Sequence, residues 1–480
     1  MKIGNNYFKI SKKMVILGIL GIVLLGSLIY LVSEYEENHL STILNPALEI
    51  KSSDRILVFA PHPDDESLGA GGLIARAVEK NATVMVVMVT DGSSSHTTSG
   101  YSNLKAHINV TGNISLPELR HTETLNALKN LGVSEKNVVF LGYPDVGLGP
   151  LFEIYWDYNN TYKSANDFNK LNYSSYSFSY EKNAPYAGAN VVKNMQTIIR
   201  DFKPTIVVYP DDGDDHPDHW ATSAFVRYSL MGINFNGTEY TYLVHKGLDW
   251  PTPAMYLPNG RLNPPSGLLS TDAHWTYFNL NNSEVNQKEM AILSHKSQVG
   301  INSSYFKSFI RTNDLFGVYP DIQIARNTLE TTLGVLPTSS YTDEKGDASN
   351  TLFNTVSDLN SAGISYDDQN VYLFMQTASN INNTFQKTFH LRLFNGTDIK
   401  RMDVTVTNSS QAEYVKYATN SIKGSEKPTV ELNNNILMVK LPKSLFKGVK
   451  EVMFSVDIYD TNTKKHVDAM AFRNFIFPSS

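Results

Sequence analysis

Ile56-Leu57-Val58-Phe59-Ala60-Pro61-His62-Pro63-Asp64-Asp65-Glu66 is the stretch that decides the fold. Its apolar start reads as a buried strand, and that strand delivers a histidine and three carboxylates into one turn. Four ionisable side chains beside a hydrophobic strand are costly unless a metal ion or a cationic substrate compensates them. The turn therefore reads as half of a metal site. Catalytic zinc takes three protein ligands and keeps one position open, so another histidine is expected elsewhere in the chain.

It comes in Asp211-Asp212-Gly213-Asp214-Asp215-His216-Pro217-Asp218-His219, directly after the apolar run Thr205 to Tyr209. His62 and Asp65 are three residues apart, as are His216 and His219. At a helix start this spacing puts both side chains on one side of the turn. Either motif alone also fits a solvated acidic loop or a helix cap; two His-Pro-Asp motifs at equivalent strand ends fit a shared site better. The aspartates lack the D-x-D-x-D-G register of a calcium loop.

Around these turns the chain alternates. Glu66 to Lys80, Pro117 to Leu131 and Asn190 to Phe202 read as helices, and Ala82 to Val89, Val138 to Leu141 and Thr205 to Tyr209 as strands. The pattern predicts an α/β fold, a Rossmann-like, mostly parallel sheet with helices on both faces. Ligands of such sheets bind beyond the carboxyl ends of the strands, where both turns sit. Gly69, Gly71 and Gly72 predict close helix packing, since no G-x-G-x-x-G lies between strand and helix.

Composition narrows the partners. Of the 480 residues 18% are charged, the net charge is -6, and no basic cluster occurs, which argues against nucleic acid. Cysteine is absent, so any metal must be held by His, Asp, Glu or backbone oxygen. Met14 to Val32 carries no charge and approaches the roughly 20 residues that cross a bilayer. Lys2, Lys9, Lys12 and Lys13 precede it, and Glu34, Glu36 and Glu37 follow. The positive-inside rule then makes 1–13 cytoplasmic, 14–32 a single-pass transmembrane anchor, 33–53 a linker and the rest extracytoplasmic. A cleaved signal peptide is the rival reading, but the apolar run is long for one and no clear A-x-A site follows. Sequons at Asn109, Asn113, Asn172, Asn236, Asn302 and Asn395 agree with an external location.

Residues 54–335 form the expected catalytic domain. Within it, Leu148 to Ala189 is rich in Tyr and Asn and reads either as a sugar-stacking rim or as an insertion with its own small core. From 340 to 480, period-2 runs such as Val371 to Gln376, Val404 to Val406 and Ile436 to Leu441 predict an antiparallel β-sandwich. No motif there carries chemistry.

Taken together, Pro61-His62-Pro63-Asp64-Asp65-Glu66 and His216-Pro217-Asp218-His219 on this strand-helix order resemble the PIG-L (LmbE-like) zinc-dependent N-deacetylases, which remove acetyl from N-acetylglucosaminyl groups. Arg120-His121-Thr122-Glu123, Leu141-Gly142-Tyr143-Pro144-Asp145 and His295-Lys296-Ser297-Gln298 extend the similarity over roughly 54 to 330. The resemblance implies His62, Asp65 and His219 as Zn2+ ligands, Asp64 as the base and His216 as an active-site histidine off the metal. It also implies Arg120 and Asp145 as sugar-hydroxyl contacts; the alternatives are a surface arginine paired with Glu118 or Glu123, and a turn aspartate. An acidic pair, Asp214-Asp215, precedes His216 where some relatives carry an aromatic. His121, His245 and His295 read as structural or solvent-facing, and His96 as a loop residue.

The expected protein is thus a membrane-anchored, outward-facing zinc hydrolase of N-acetylated amino sugars, its oligomeric state unassigned. Two other readings stay open, a metal-dependent hydrolase of another ester or phosphoester and a non-catalytic surface protein that binds glycan.

Overall fold

The computed structural model describes residues 48–94, 115–164, 170–247, 250–327, 335–348, 357–408, 411–415 and 428–478. The expected anchor at 14–32, most of its linker, His96, Asn109 and Asn113 lie outside them. Among the described residues no helix is long and apolar enough to cross a membrane.

The first half builds one sheet. In chain order its elements are β1 (Arg55–Ala60), α1 (Asp65–Glu79), β2 (Thr83–Thr90), α2 (Leu116–Asn130), β3 (Val138–Tyr143), α3 (Leu148–Glu153), α4 (Gly188–Phe202), β4 (Ile206–Pro210), α5 (Pro217–Gly232) and β5 (Thr238–Tyr242). There follow β6 (His274–Asn279), α6 (Asn282–Ile292), α7 (Lys296–Ser308) and β7 (Asn313–Val318). The strands lie in the order β3-β2-β1-β4-β5-β7-β6. The first five run parallel, and β7 lies antiparallel to both of its neighbours. The sheet is therefore mixed but dominated by parallel pairs, and its antiparallel end carries no signal in the sequence reading.

Burial on both faces explains the unbroken apolar strands. Leu57 and Phe59 join Val87, Val89, Leu141 and Val207 in one cluster with Ile198 of α4 and Phe225 of α5. The intervening Ile56, Val58, Val86 and Met88 are also buried and point to the opposite face. Ser115 and Glu118 form a capping box that starts α2, with Pro117 in its first turn. At Gly69 a Cβ would fall 2.1 Å from the ring of Tyr242, so only glycine lets α1 lie this close to β5. Tyr242 in turn donates its hydroxyl to the Phe59 carbonyl at 3.0 Å, which ties α1, β5 and the end of β1 together.

From β1 the chain moves outward to β2 and β3, then returns to β4 on the other side of β1. The order reverses between β1 and β4, which makes their carboxyl ends the crevice of the sheet. The turn at His62 follows β1 and the turn at His216 follows β4.

Two further sheets follow. Their strands are β8 (Ile322–Gln323), β9 (Ala325–Arg326), β10 (Ser340–Thr342), β11 (Leu359–Tyr366), β12 (Asn370–Thr377), β13 (Gln386–Phe394), β14 (Ile399–Asn408), β15 (Gln411–Val415), β16 (Thr429–Asn433), β17 (Ile436–Pro442), β18 (Glu451–Asp460), β19 (Lys465–Ala469) and β20 (Arg473–Ile476). One sheet runs β10-β11-β12-β17-β16 with β9 on β11, the other β15-β14-β13-β18-β20-β8 with β19 on β18. Leu373 and Val439 of the first share a core cluster with Leu391 and Phe454 of the second. The sequence reading ended the catalytic domain at 335 and began the next at 340; strand pairing brings the crossing ahead of Ile322, because β8 and β9 already belong to these sheets. Two-residue strands carry no alternation to read.

The sheets also pack on the first half. Phe394, Met453 and Phe472 join the cluster of Phe152 and Phe225, and residues 47–480 form one compact unit. The aromatic insertion contributes to this core through Phe152, Tyr155, Trp156 and Tyr162, while Tyr158 and Tyr180 stay exposed.

Candidate active site

His62, Asp64, Asp65, Arg120, Asp145 and His216 line one pocket of about 450 Å³, with His245 and Tyr305 among their neighbours. His219 is fully buried, its ring 5.3 Å from those of both His62 and His216. Residues drawn from turns far apart in sequence thus meet in the crevice between β1 and β4.

One oxygen organises the donors. Asp65 Oδ2 lies 3.0 Å from His62 Nδ1 and 3.1 Å from His219 Nε2. Each imidazole turns its other nitrogen to a second carboxylate. His62 Nε2 is 3.1 Å from Asp218 Oδ2 and 3.4 Å from Asp145 Oδ1, and His219 Nδ1 is 3.0 Å from Asp214 Oδ2. Carboxylates behind metal-ligating histidines fix ring orientation in this way. Asp218 is held by the backbone N–H groups of Val146 and Leu148, which donate to it at 2.6 and 3.0 Å. Asp214 accepts from the N–H groups of Val244 and His245, both at 2.9 Å.

This donor set fits a divalent cation. Asp65, Asp145, Asp214 and Asp218 are each at least 95% buried, and neutral imidazoles would leave their charge without compensation. Neither ring nitrogen of His219 makes a hydrogen bond of good geometry although both are buried. Burial opposes a proton on His62 and His219. The nearby carboxylates outweigh it, holding His62 well above the usual imidazole range and pushing His219 up to about 9. The same cationic neighbours hold Asp65 low against the effect of burial. The site thus attracts positive charge, as protons or as a metal. The nitrogens of His62, His216 and His219 also lie within 4.8 Å of one another, and so do donor atoms of Asp214, His219 and His245.

Asp64 stands beside this group without joining it. Its backbone has φ 144° and ψ -28°, a conformation that costs a non-glycine residue on the order of 1–3 kcal/mol. Several contacts hold it there. Arg120 Nη2 donates to Asp64 Oδ2 at 3.0 Å and to the Pro63 carbonyl at 2.8 Å, while Nη1 donates to the Gly92 carbonyl at 2.9 Å. Glu66 Oε2 accepts the Asp64 N–H at 3.0 Å. Behind it, Glu66 Oε1 pairs with His295 Nε2 at 3.0 Å and with the Ser67 hydroxyl at 2.7 Å. Burial pushes the Asp64 carboxyl up to about 6, with Arg120 opposing the rise and Asp65 adding to it.

Arg120 is therefore a buried pocket residue and pairs with Asp64, which corrects the surface pairing with Glu118 or Glu123. Glu123 instead accepts from the backbone N–H and hydroxyl of Ser297 at 2.9 and 2.6 Å, joining two of the sequence motifs. Asp145 turns to His62 and accepts the Ser94 N–H at 2.9 Å. Behind it, Asp91 accepts the hydroxyl of Tyr176 from the insertion at 2.7 Å.

His216 caps α5. Its Nδ1 accepts the N–H of Asp218 at 3.2 Å, which leaves the ring proton on Nε2. Burial and the neighbouring imidazoles of His62, His219 and His245 push its pKa down to about 2. It is therefore a neutral N–H donor. His295 is fully buried and structural, and His121 stacks on Phe178 with centroids 4.4 Å apart. His245 differs from its reading: it lines the pocket, with Nδ1 3.2 Å from Asp214 Oδ1. Sequence reasoning gave no role to Asp214 or Asp218, although both lie inside the second motif.

Residues 57–229 match the family model described as PIG-L, GlcNAc-PI de-N-acetylase. The chain is 28% identical over 202 residues to 1D-myo-inositol 2-acetamido-2-deoxy-alpha-D-glucopyranoside deacetylase 2 of Saccharopolyspora erythraea, covering 41% of this chain and 61% of that protein. It is 27% identical over 181 residues to the probable N-acetyl-alpha-D-glucosaminyl L-malate deacetylase 2 of Bacillus subtilis, covering 37% and 61%. It thus spans about three fifths of the length of these relatives. Among solved structures, N,N'-diacetylchitobiose deacetylase from Pyrococcus horikoshii overlaps 55% of this chain and 83% of its own, with 18% identity and a TM-score of 0.34.

Proposed function

We propose, from the match of residues 57–229 to the PIG-L de-N-acetylase family model, that this protein is a zinc-dependent hydrolase that removes acetyl from an N-acetylglucosamine-type sugar. The observation that carries this is the single oxygen of Asp65 shared by His62 and His219, with Asp64 held just off it by Arg120. His62, Asp65 and His219 would hold the ion, and two imidazoles with one carboxylate suit zinc and leave a position open. The chemistry such an ion supplies is polarisation of the amide oxygen and acidification of water.

The rest falls to the chain. Asp64 takes a proton from the water that adds to the acetyl carbonyl. His216, a neutral donor through Nε2, stabilises charge developing on the carbonyl oxygen. As the C–N bond breaks, the proton held by Asp64 passes to the nitrogen, leaving acetate and a free amine. Arg120 spends its buried hydrogen bonds on Asp64, Pro63 and Gly92, so its first role is to position the base. Asp145 keeps a place at the pocket wall for a sugar hydroxyl.

Met14 to Val32, with lysines before it and glutamates after it, supports an N-terminal membrane anchor with the pocket on the outer side. The substrate would then be a surface glycan or glycoconjugate. Acetate release from N-acetylglucosamine oligomers and zinc content test the catalytic reading together. Asp64→Asn is expected to keep zinc and lose activity at least a hundredfold, and His219→Ala to lose both. Full activity in the two variants would sink the assignment; hydrolysis of phosphate esters alone would favour a different one.

A further inference from the structure

The metal-binding turn at 211–219 is held from outside its own sheet. Arg473, on β20 of the C-terminal sheets, is 4% exposed. Its Nε and Nη2 donate to the two oxygens of Asp272 at 2.8 and 3.1 Å, and its Nη1 donates to Asp212 Oδ2 at 2.7 Å. The guanidinium also lies 3.7 Å over the ring of Tyr319. Tyr319 donates its hydroxyl to both oxygens of Asp211 at 2.9 Å, and Asp211 Oδ1 accepts the N–H of Gly213 at 2.9 Å. One arginine thus fixes Asp212 directly and Asp211 through a tyrosine. Arg227 of α5 adds a weaker contact, 3.6 Å from the same Asp212 oxygen.

Two residues further on, Asp214 carries the consequence. Its carboxylate accepts the His216 N–H at 3.0 Å and stands 3.0 Å behind His219 Nδ1. We propose that Arg473 is a positioning residue of the active site, supplied by the C-terminal sheets, which sets the 211–216 turn so that Asp214 aims His219 at the metal position. The sheets then serve as part of the catalytic machinery and not as a detachable glycan-binding module. A planar fork fits this task, since it engages two carboxylates and an aromatic face at once.

This rests on the proposed metal site, but the test does not need turnover. Titrate the full chain with Co2+ and record affinity and the visible d–d spectrum for wild type, Arg473→Met, Arg473→Lys and Arg401→Met. Arg401 is the control: it also ties the sheets to the first half, donating to the Phe152 carbonyl at 2.6 Å and lying 3.9 Å over Trp156, but it does not touch the turn. R473M is expected to weaken Co2+ binding about tenfold or more and to alter the spectrum. R473K should recover part of both, because a single ammonium reaches one carboxylate only. R401M should bind Co2+ as wild type does. Wild-type affinity and spectrum in R473M overturn the proposal, and so does an equal loss in R401M. Where R473M does not fold, R473K decides: an unchanged affinity and spectrum overturn it. If wild type released no acetate, the deacetylase reading would fall while the Co2+ readouts still judged the clamp.

Discussion

At Asp64 a carboxylate sits on a backbone that favours glycine, with φ 144°. Substituting it separates two effects. Asp64→Ala and Asp64→Gly both remove the proposed base and the acceptor of Arg120, but only glycine relaxes the backbone. Asp64→Gly is therefore expected to be the more stable of the two by about 1 kcal/mol, the strain of order 1–3 kcal/mol less the entropy that glycine loses on folding. Denaturant midpoints of the two variants measure this; an Ala variant equal to or more stable than the Gly variant would show that the turn stores no strain. Asp64, Asp65, His62, His216 and His219 were legible because each stands in a tight motif straight after an apolar strand. Their supports were not. Glu66 and His295 are 229 residues apart, and Asp218 finds its donors some 70 residues away at Val146 and Leu148. Such pairs depend on topology, which local spacing does not encode.

Among the elements, β13 holds a buried cation. Lys387 is 4% exposed, and its ammonium donates to the Asn382 carbonyl. Burial pushes its pKa down to about 8, from roughly 10.4 in the unfolded chain. Between these values the unfolded chain binds more protons, so this group makes stability rise with pH from about 8 to about 10. Below pH 8 both states are charged and the burial penalty is complete. Lys387→Met is expected to raise stability at pH 7 by about 1–3 kcal/mol and to flatten that rise. Urea denaturation at pH 7, 8.5 and 10 checks both parts, and an unchanged slope would refute the assignment. The long elements of the first sheet were legible to within a few residues, because strands buried on two faces give continuous apolar runs. β8 and β9 were not, being too short for any period, and neither was the antiparallel β6–β7 edge.

For the molecule as a whole, the sequence reading drew two successive domains, whereas the packing joins them. Phe152 meets Phe472 with ring centroids 5.5 Å apart, and Met453 and Phe394 enter the same cluster. Cutting the chain after residue 320 would expose that apolar surface to water, at about 25 cal/mol for each Å² uncovered. The fragment 48–320 is expected to aggregate or to lose near-ultraviolet circular dichroism, compared with 48–478. A fragment that melts cooperatively and binds zinc as tightly as the longer chain would contradict this. Contacts between domains are illegible in one sequence because each apolar face is equally well explained by its own core.

The clamp on Asp212 also carries a consequence for biosynthesis. Asp212 and Arg473 are 261 residues apart, so a ribosome that has finished the first sheet has yet to make the arginine that fixes its second turn. On a nascent chain the turns after β1 and β4 can approach one another, but by the proposed clamp the turn bearing His216 and His219 stays unclamped until β20 has emerged and paired with β8 and β18. That turn would then reach its final geometry only with the C-terminal sheets complete, and a prematurely terminated product would leave the ribosome with both histidine motifs and an unclamped turn.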